Sequence, residues 1–156
     1  MNADRIPHVN HSGLLHADVT SRVLKVFYEV YNELGGGFLK SVYHSAFALA
    51  FRQGGLAVAE EVAVPVYFRG VVVGDFRADL TVNECVPLEL KAVATLDRVH
   101  EGQILHYLRE TKFEIGMLLN LGPRPQFKRV VLENGNRQIR LNPRLSAVEP
   151  LEAPEQ

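Results

Sequence analysis

The sequence predicts a mixed α/β fold, a β-sheet with helices packed against it, and three observations predict it. Two amphipathic stretches separated by a glycine run open the chain. Short apolar and alternating runs follow, and one further helical stretch interrupts them before the last runs begin. Helices and strands mixed in this order bury their apolar sides most simply when the strands share one sheet and the helices cover it.

Each element has its own signal. Val19, Val23, Val26, Phe27, Val30, Tyr31 and Leu34 recur at helical spacing after Asp18, a residue suited to an N-cap, and the pattern stops at Gly35-Gly36-Gly37. A second helix is expected over residues 39–52, with Tyr43, Phe47 and Ala50 on one stripe and Gly54-Gly55 ending it. The glycine run between them lacks the lysine and the serine or threonine of a phosphate loop, so it reads as a break between helices. Val62, Val64, Val66 and Phe68 then alternate along a strand that turns at Arg69-Gly70. Residues 71–82 and 86–93 read as two more strands. A helix over residues 96–110, capped by Thr95, and an apolar strand over residues 113–121 follow. Residues 127–133 and 137–141 flank Asn134-Gly135, a strong hairpin signal. The expected organisation is a tail over residues 1–16, one domain over residues 17–142 and a second tail over residues 143–156.

Composition narrows the function classes. A chain of 156 residues with 47% hydrophobic content can build one core without covalent staples. The single cysteine, Cys85, allows no intramolecular disulfide, and with no signal-peptide core and no apolar run of bilayer length the expected setting is cytoplasmic, away from membranes. Lysine and arginine number 17 against 18 aspartates and glutamates, so any site for a polyanion must be local. One local candidate is the segment carrying Arg124, Lys128, Arg129, Arg137, Arg140 and Arg144, with Glu133 the only acid among them. It reads equally as a phosphate-contacting surface and as an edge hairpin whose basic residues discourage aggregation.

The chemistry concentrates around a second hairpin. If Val82 opposes Val86 across Asn83-Glu84-Cys85, then Phe76, Ala78, Leu80 and Val82 share an apolar face with Val86, Leu88, Leu90 and Ala92. The other face carries Arg77, Asp79 and Thr81 against Pro87, Glu89 and Lys91, with Asp79 opposite Glu89. Opposed side chains have Cβ atoms roughly 5 Å apart. Two carboxylates that close repel unless a cation or a proton lies between them, and their oxygens suit a hard ion such as Mg²⁺ or Mn²⁺. Lys91, on the same face, can orient a metal-bound water or neutralise charge on a phosphate oxygen. The plainer reading is an exposed strand face with a Glu89–Lys91 ion pair of little energetic weight. On the following helix Gln103 and Tyr107 lie one turn apart, each able to hold a water or phosphate by hydrogen bond. The histidines form no metal set; His44, next to Tyr43, borders the candidate site and reads as a surface residue.

Asp79, Glu89-Leu90-Lys91 and the stretch His100-Glu101-Gly102-Gln103 to Tyr107 resemble the PD-(D/E)XK nuclease superfamily, and within it the small bacterial GxxExxY proteins. Asn32-Glu33-Leu34-Gly35, Phe38-Leu39, Phe76-Arg77-Ala78-Asp79 and Leu118-Leu119-Asn120 extend the similarity over residues 17–132. The resemblance implies a restriction-endonuclease-like core and metal-assisted cleavage of nucleic acid. It makes Asp79 and Glu89 metal ligands, adds the carbonyl of Leu90 to the metal's shell, and gives Lys91 the catalytic lysine's place with Gln103 and Tyr107 in support.

The chain departs from that pattern at one position. The motif that names the family asks for glycine, glutamate and tyrosine at three-residue intervals; here the positions hold Gly37, Lys40 and Tyr43. An acid that the resemblance places on this early helix, near the metal, is replaced here by a base. If the Lys40 ammonium reaches Asp79 or Glu89 it takes the cation's place with a single charge, and if it turns outward one supporting carboxylate is lost. Three functions follow as expectations: a metal-dependent nuclease of reduced or altered activity, a silent relative that binds nucleic acid or a protein, and an assembly protein whose apolar hairpin over residues 62–73 pairs with another copy.

Overall fold

The computed structural model describes residues 16–132, which form three helices and five strands. Helix α1 spans Ala17–Leu34, α2 Lys40–Gln53 and α3 Arg98–Arg109; the strands are β1 (Val58–Phe68), β2 (Val71–Val82), β3 (Val86–Lys91), β4 (Ile115–Leu121) and β5 (Pro125–Val131). The sheet order is β1-β2-β3-β4-β5, antiparallel except where β4 runs parallel to β3 after the α3 crossover. This is the expected mixed sheet flanked by helices. Among the described residues no helix is long and apolar enough to cross a membrane.

Helix α1 buries Val19, Val23, Val26, Phe27 and Val30, the predicted stripe, while Leu34 at its end is exposed. Asp18 is not the cap: the helix starts one residue earlier, after His16 in a left-handed conformation, and Asp18 lies in the first turn, where a carboxylate still complements the helix dipole. The helix stops at Gly35 (φ 76°), whose N–H closes on the carbonyl of Tyr31. Helix α2 buries Tyr43, Phe47, Ala48 and Phe51, and the predicted Ala50 is only half-buried. The Tyr43 hydroxyl donates to the Gly35 carbonyl and accepts from the Phe38 N–H at 3.3 Å. That side chain therefore pins the glycine loop and fixes where Lys40 begins the helix.

Sheet and helices pack in three layers. Leu80, Val82, Val86, Leu88, Leu90, Ile115, Met117, Leu119 and Leu121 join the buried residues of α1 and α2 in one core cluster. Gly116 points the other way, and a Cβ there would come within 2.7 Å of Ile104 Cγ1, so α3 covers the opposite face. The expected apolar face thus holds from Leu80 to Leu90 and fails at both ends. Phe76 instead sets its ring 4.9 Å from that of His106 on α3, and Ala92 is exposed. The cause is the length of β2: its pairing with β3 covers Val82↔Val86 to Leu80↔Leu88, and the rest of the strand follows β1.

Other boundaries shift for local reasons. Strand β3 ends at Lys91 rather than at residue 93, because the Val93 N–H donates to Asn120 Oδ1 and the Val93 carbonyl accepts from Asn120 Nδ2, at 2.9 Å each. Helix α3 is capped by Asp97 and not by Thr95: Asp97 accepts from the Val99 N–H while its own N–H donates to His100 Nδ1, a reciprocal pair that Thr95 does not form. Arg69 and Gly70 take the paired left-handed conformations of a two-residue hairpin turn. On either side of that turn Tyr67, Phe68, Val71, Val72 and Val73 are all exposed. The second strand of the Asn134-Gly135 hairpin lies outside the described residues.

Candidate functional site

The site sits where β2 and β3 part. Val82 opposes Val86 across the predicted turn, whose Asn83 and Glu84 are both left-handed. Past Leu80↔Leu88 the ladder is replaced by a side chain: Asp79 Oδ2 accepts the Leu90 N–H at 2.7 Å. Leu80 and Leu90 belong to the α1–α2 core, so Asp79, Glu89 and Lys91 alternate onto the other side of their strands. The ladder ends at Leu80↔Leu88, so Asp79 and Glu89 are not the directly opposed pair that the sequence predicts; they lie at the fork within reach of one shared ammonium, that of Lys40.

Lys40, the first residue of α2, turns toward them. Its Nζ is 3.2 Å from Asp79 Oδ2 and 3.9 Å from Glu89 Oε2, and Lys91 Nζ is 3.4 Å from Glu89 Oε2. The acid side chains are 16% and 12% exposed and that of Lys91 17%, whereas Lys40 is 44% exposed. Burial raises the Glu89 pKa above the ordinary carboxylate value and the charge of Asp79 adds to that, while Lys91 and Lys40 pull it back. Two acids face two ammonium groups, and the charges balance.

This donor set matches a hard divalent ion in kind, since two carboxylates offer it oxygen ligands. It is lean in number, for among the described residues no three of the histidine, cysteine, aspartate and glutamate side chains gather in a metal-binding arrangement. An ion could coordinate both acids only if the Lys40 ammonium withdrew, which its exposure on a flexible stem allows. The residues therefore fit the metal, in competition with Lys40.

A cavity of about 450 Å³ opens beside this cluster, lined by Lys40, Ser41, His44, Ser45, Glu60, Glu61 and Asp79. His44 is not a surface residue: its side chain is 14% exposed and Nε2 lies 3.0 Å from Glu60 Oε1. The other Glu60 oxygen accepts from Arg52 Nη1 at 3.0 Å, and Arg52 Nη2 reaches the Val58 carbonyl at 3.0 Å. Glu60 escaped the sequence reading because strand β1 passes far from the motif in sequence. The one available signal was the four-residue spacing of Lys40 and His44, which sets both on one side of α2.

The remaining candidates are placed differently. Tyr107 is 1% exposed, stacks its ring on Phe113 and spends its hydroxyl on the Val62 carbonyl at 3.3 Å, so it packs and does not present a free hydroxyl. Gln103 is half-buried with Oε1 inaccessible and without a hydrogen-bond partner. Of the basic residues, Arg124 is exposed after β4. Lys128 pairs with Leu118 across the ladder and reaches Glu101 of α3 at 3.8 Å. Arg129, the next residue along, pairs with Met117 and lines a cavity with Arg98, Glu101, Gly102 and Leu105 of α3. Arg137, Arg140 and Arg144 lie outside the described residues.

A mixed sheet flanked by helices, with paired acids and a lysine at a strand fork, defines a nuclease-like α/β protein. The chain belongs to the PD-(D/E)XK nuclease superfamily, which it matches over residues 17–130. No curated protein gives a match. Among solved structures, the crystal structure of SSO0001 is similar at a TM-score of 0.50 and 18% identity, over 73% of this chain and 59% of that one. The likeness speaks for the fold, and this chain spans about 59% of that protein's length.

Proposed function

We propose that the chain is a metal-dependent phosphodiesterase acting on DNA or RNA, a member of the GxxExxY proteins whose metal site is restrained by Lys40. The observation that carries the reading is the fork itself, where Asp79, Glu89 and Lys91 converge and Lys40 bridges both acids. Gly37 and Tyr43 keep the places of that family's motif, and Tyr43 holds the loop that delivers Lys40 to the acids. Residues 17–142 form the working domain on this reading.

Asp79, Glu89 and the carbonyl of Leu90 would hold Mg²⁺ or Mn²⁺. Such an ion, when bound, polarises a phosphoryl oxygen and lowers the pKa of water. The chain's own groups do the rest. The Leu90 N–H fixes one oxygen of Asp79, so that carboxylate is oriented before any ligand arrives. Lys91, held by Glu89, sets a positive charge where a pentavalent phosphorus gathers negative charge. Gln103 remains the proposed supporting residue of α3, and Tyr107 supports it by packing.

One observation favours a second reading, a silent relative that binds nucleic acid or a protein: with Lys40 and Lys91 in place the two acids are neutralised without a metal. A cleavage assay on single-stranded and duplex DNA and RNA, titrating Mg²⁺ and Mn²⁺, decides between them. Cleavage that rises with the ion and disappears in Glu89→Ala supports the enzyme. Cleavage equal in Glu89→Ala, or none in wild type and in Lys40→Glu, leaves the silent reading standing.

A further inference from the structure

The cavity beside the fork holds a side-chain relay that the proposed metal chemistry does not use. Glu60 is gripped from two sides, by Arg52 through one oxygen and by His44 through the other. The two partners hold its pKa below the ordinary carboxylate value, Arg52 more than His44, so it is an anion at neutral pH. A carboxylate accepts and cannot donate, which places a proton on His44 Nε2. The ring is thereby held in one orientation, and Nδ1 is the nitrogen left for a ligand. Arg52 is in turn anchored to the Val58 carbonyl, so the relay is tied to the backbone of β1.

The position of this histidine matters more than the bond. His44 is one helical turn beyond Lys40, and both line the cavity that Asp79 also lines. A phosphodiester drawn to the fork has an oxygen on each side of the phosphorus, and the cavity is where the chain beyond one of them can run. The charged groups facing His44 there are Glu60 and Glu61 from β1, Asp79 from β2, and Lys40 and Arg52 from its own helix.

We propose that His44 is a proton-transfer residue of this site, oriented by Glu60 and Arg52 as positioning residues, which protonates the oxygen leaving the phosphorus; the proposal rests on the nuclease reading above. In the step, a water oxygen forms a bond to phosphorus and the water's proton goes to solvent. The bond from phosphorus to the leaving oxygen breaks, and that oxygen takes the electron pair. His44, as imidazolium, gives it the Nδ1 proton and leaves as the neutral ring, which recovers a proton from solvent. With a single-charged ammonium crowding the metal's place, help at the leaving oxygen carries more of the barrier than it would at a fully loaded site.

The test uses the full chain with Mn²⁺ and a single-stranded oligonucleotide, comparing wild type, His44→Gln, His44→Gly and Glu60→Gln. Glutamine retains an amide donor for Glu60, and thermal melts confirm that each variant folds. His44→Gln is expected to lower kcat about a hundredfold with KM within about twofold, within the usual range for losing a general acid. It should also remove the alkaline limb of the pH–rate profile, and added imidazole should restore part of the rate to His44→Gly. Glu60→Gln should give a smaller loss, since it disorders the ring without removing it. As a readout apart from turnover, the metal-free protein with the dinucleotide TpT should shift the His44 Nδ1 resonance. A kcat within about twofold of wild type in His44→Gln, or no response of the ring to TpT together with no rescue by imidazole, overturns the proposal and leaves the nuclease reading intact. Cleavage insensitive to Glu89→Ala overturns that reading instead.

Discussion

The Leu90 N–H donates to Asp79 Oδ2 at 2.7 Å, so the acid that marks the site also closes the gap left where β2 and β3 separate. Structure and chemistry are joined in one side chain, and substitutions can part them. Asp79→Ala leaves a backbone N–H without its acceptor and is expected to cost about 1–3 kcal/mol of stability. Asp79→Asn retains an acceptor oxygen and should cost less than half as much, while both abolish binding of a divalent ion. Urea unfolding with calorimetry checks this, and equal destabilisation by the two variants would refute the structural half.

Lys40 sets the second expectation. Its ammonium lies against both acids from a side chain that is nearly half-exposed, so it resists a divalent ion without shutting it out. Replacing it by glutamate removes a competitor and adds a ligand. Lys40→Glu should bind Mg²⁺ at least about tenfold more tightly than wild type, roughly 1.4 kcal/mol. Lys40→Met, which only removes the competitor, should fall between the two. Calorimetric titration reads the order directly; a Lys40→Met affinity at or below that of wild type removes competition as the explanation.

The sequence revealed the fork more clearly than its surroundings. Period-two alternation forces Asp79 and Glu89 onto one side once Val82 opposes Val86, and a slip by one residue would bury an acid, so the register could be read without coordinates. The direction of Lys40 could not, because it depends on the left-handed Gly35 and the Tyr43 contacts that start α2. Pairing of β1 with β2 decides that Glu60 stands beside His44, a relation across 16 residues that no local pattern carries. Tyr107 shows the opposite failure. Helical spacing put it on a line with Gln103, but whether a tyrosine's hydroxyl is offered or spent depends on what lies above it, here the Val62 carbonyl. Thr95 was the expected cap of α3, and the reciprocal bond to His100 gives that place to Asp97 instead.

Asn120 carries a third prediction. It is fully buried; Oδ1 accepts from the Val93 N–H, while Nδ2 donates to the Val93 carbonyl and to Gln126 Oε1 at 3.0 Å. One amide thus reproduces a ladder pair and holds the segment that leaves β3 just after Lys91. Asn120→Leu fills the space but orphans two backbone groups, at about 1–3 kcal/mol each. A drop of that size in unfolding free energy, with broadened amide resonances from Lys91 to Val93, is the expected result; a change under about 0.5 kcal/mol would show that the backbone finds other partners.

His106 supplies a pH dependence away from the site. Burial pushes its pKa below the ordinary 6.5; Glu110 opposes that push and Arg109 adds to it, and the ring rests 4.9 Å from that of Phe76. A base with a depressed folded pKa binds its proton more readily when unfolded, so the stability present above 6.5 is lost as the pH falls through that value toward the folded one. His106→Phe keeps an aromatic ring against Phe76 and removes the titration. Unfolding free energies measured from about pH 7.5 to pH 5 should therefore fall less steeply in the variant than in wild type. Curves that stay parallel across that window would mean that the imidazole reaches water freely enough to take its proton in the folded chain, and that the acid sensitivity of α3 packing arises elsewhere.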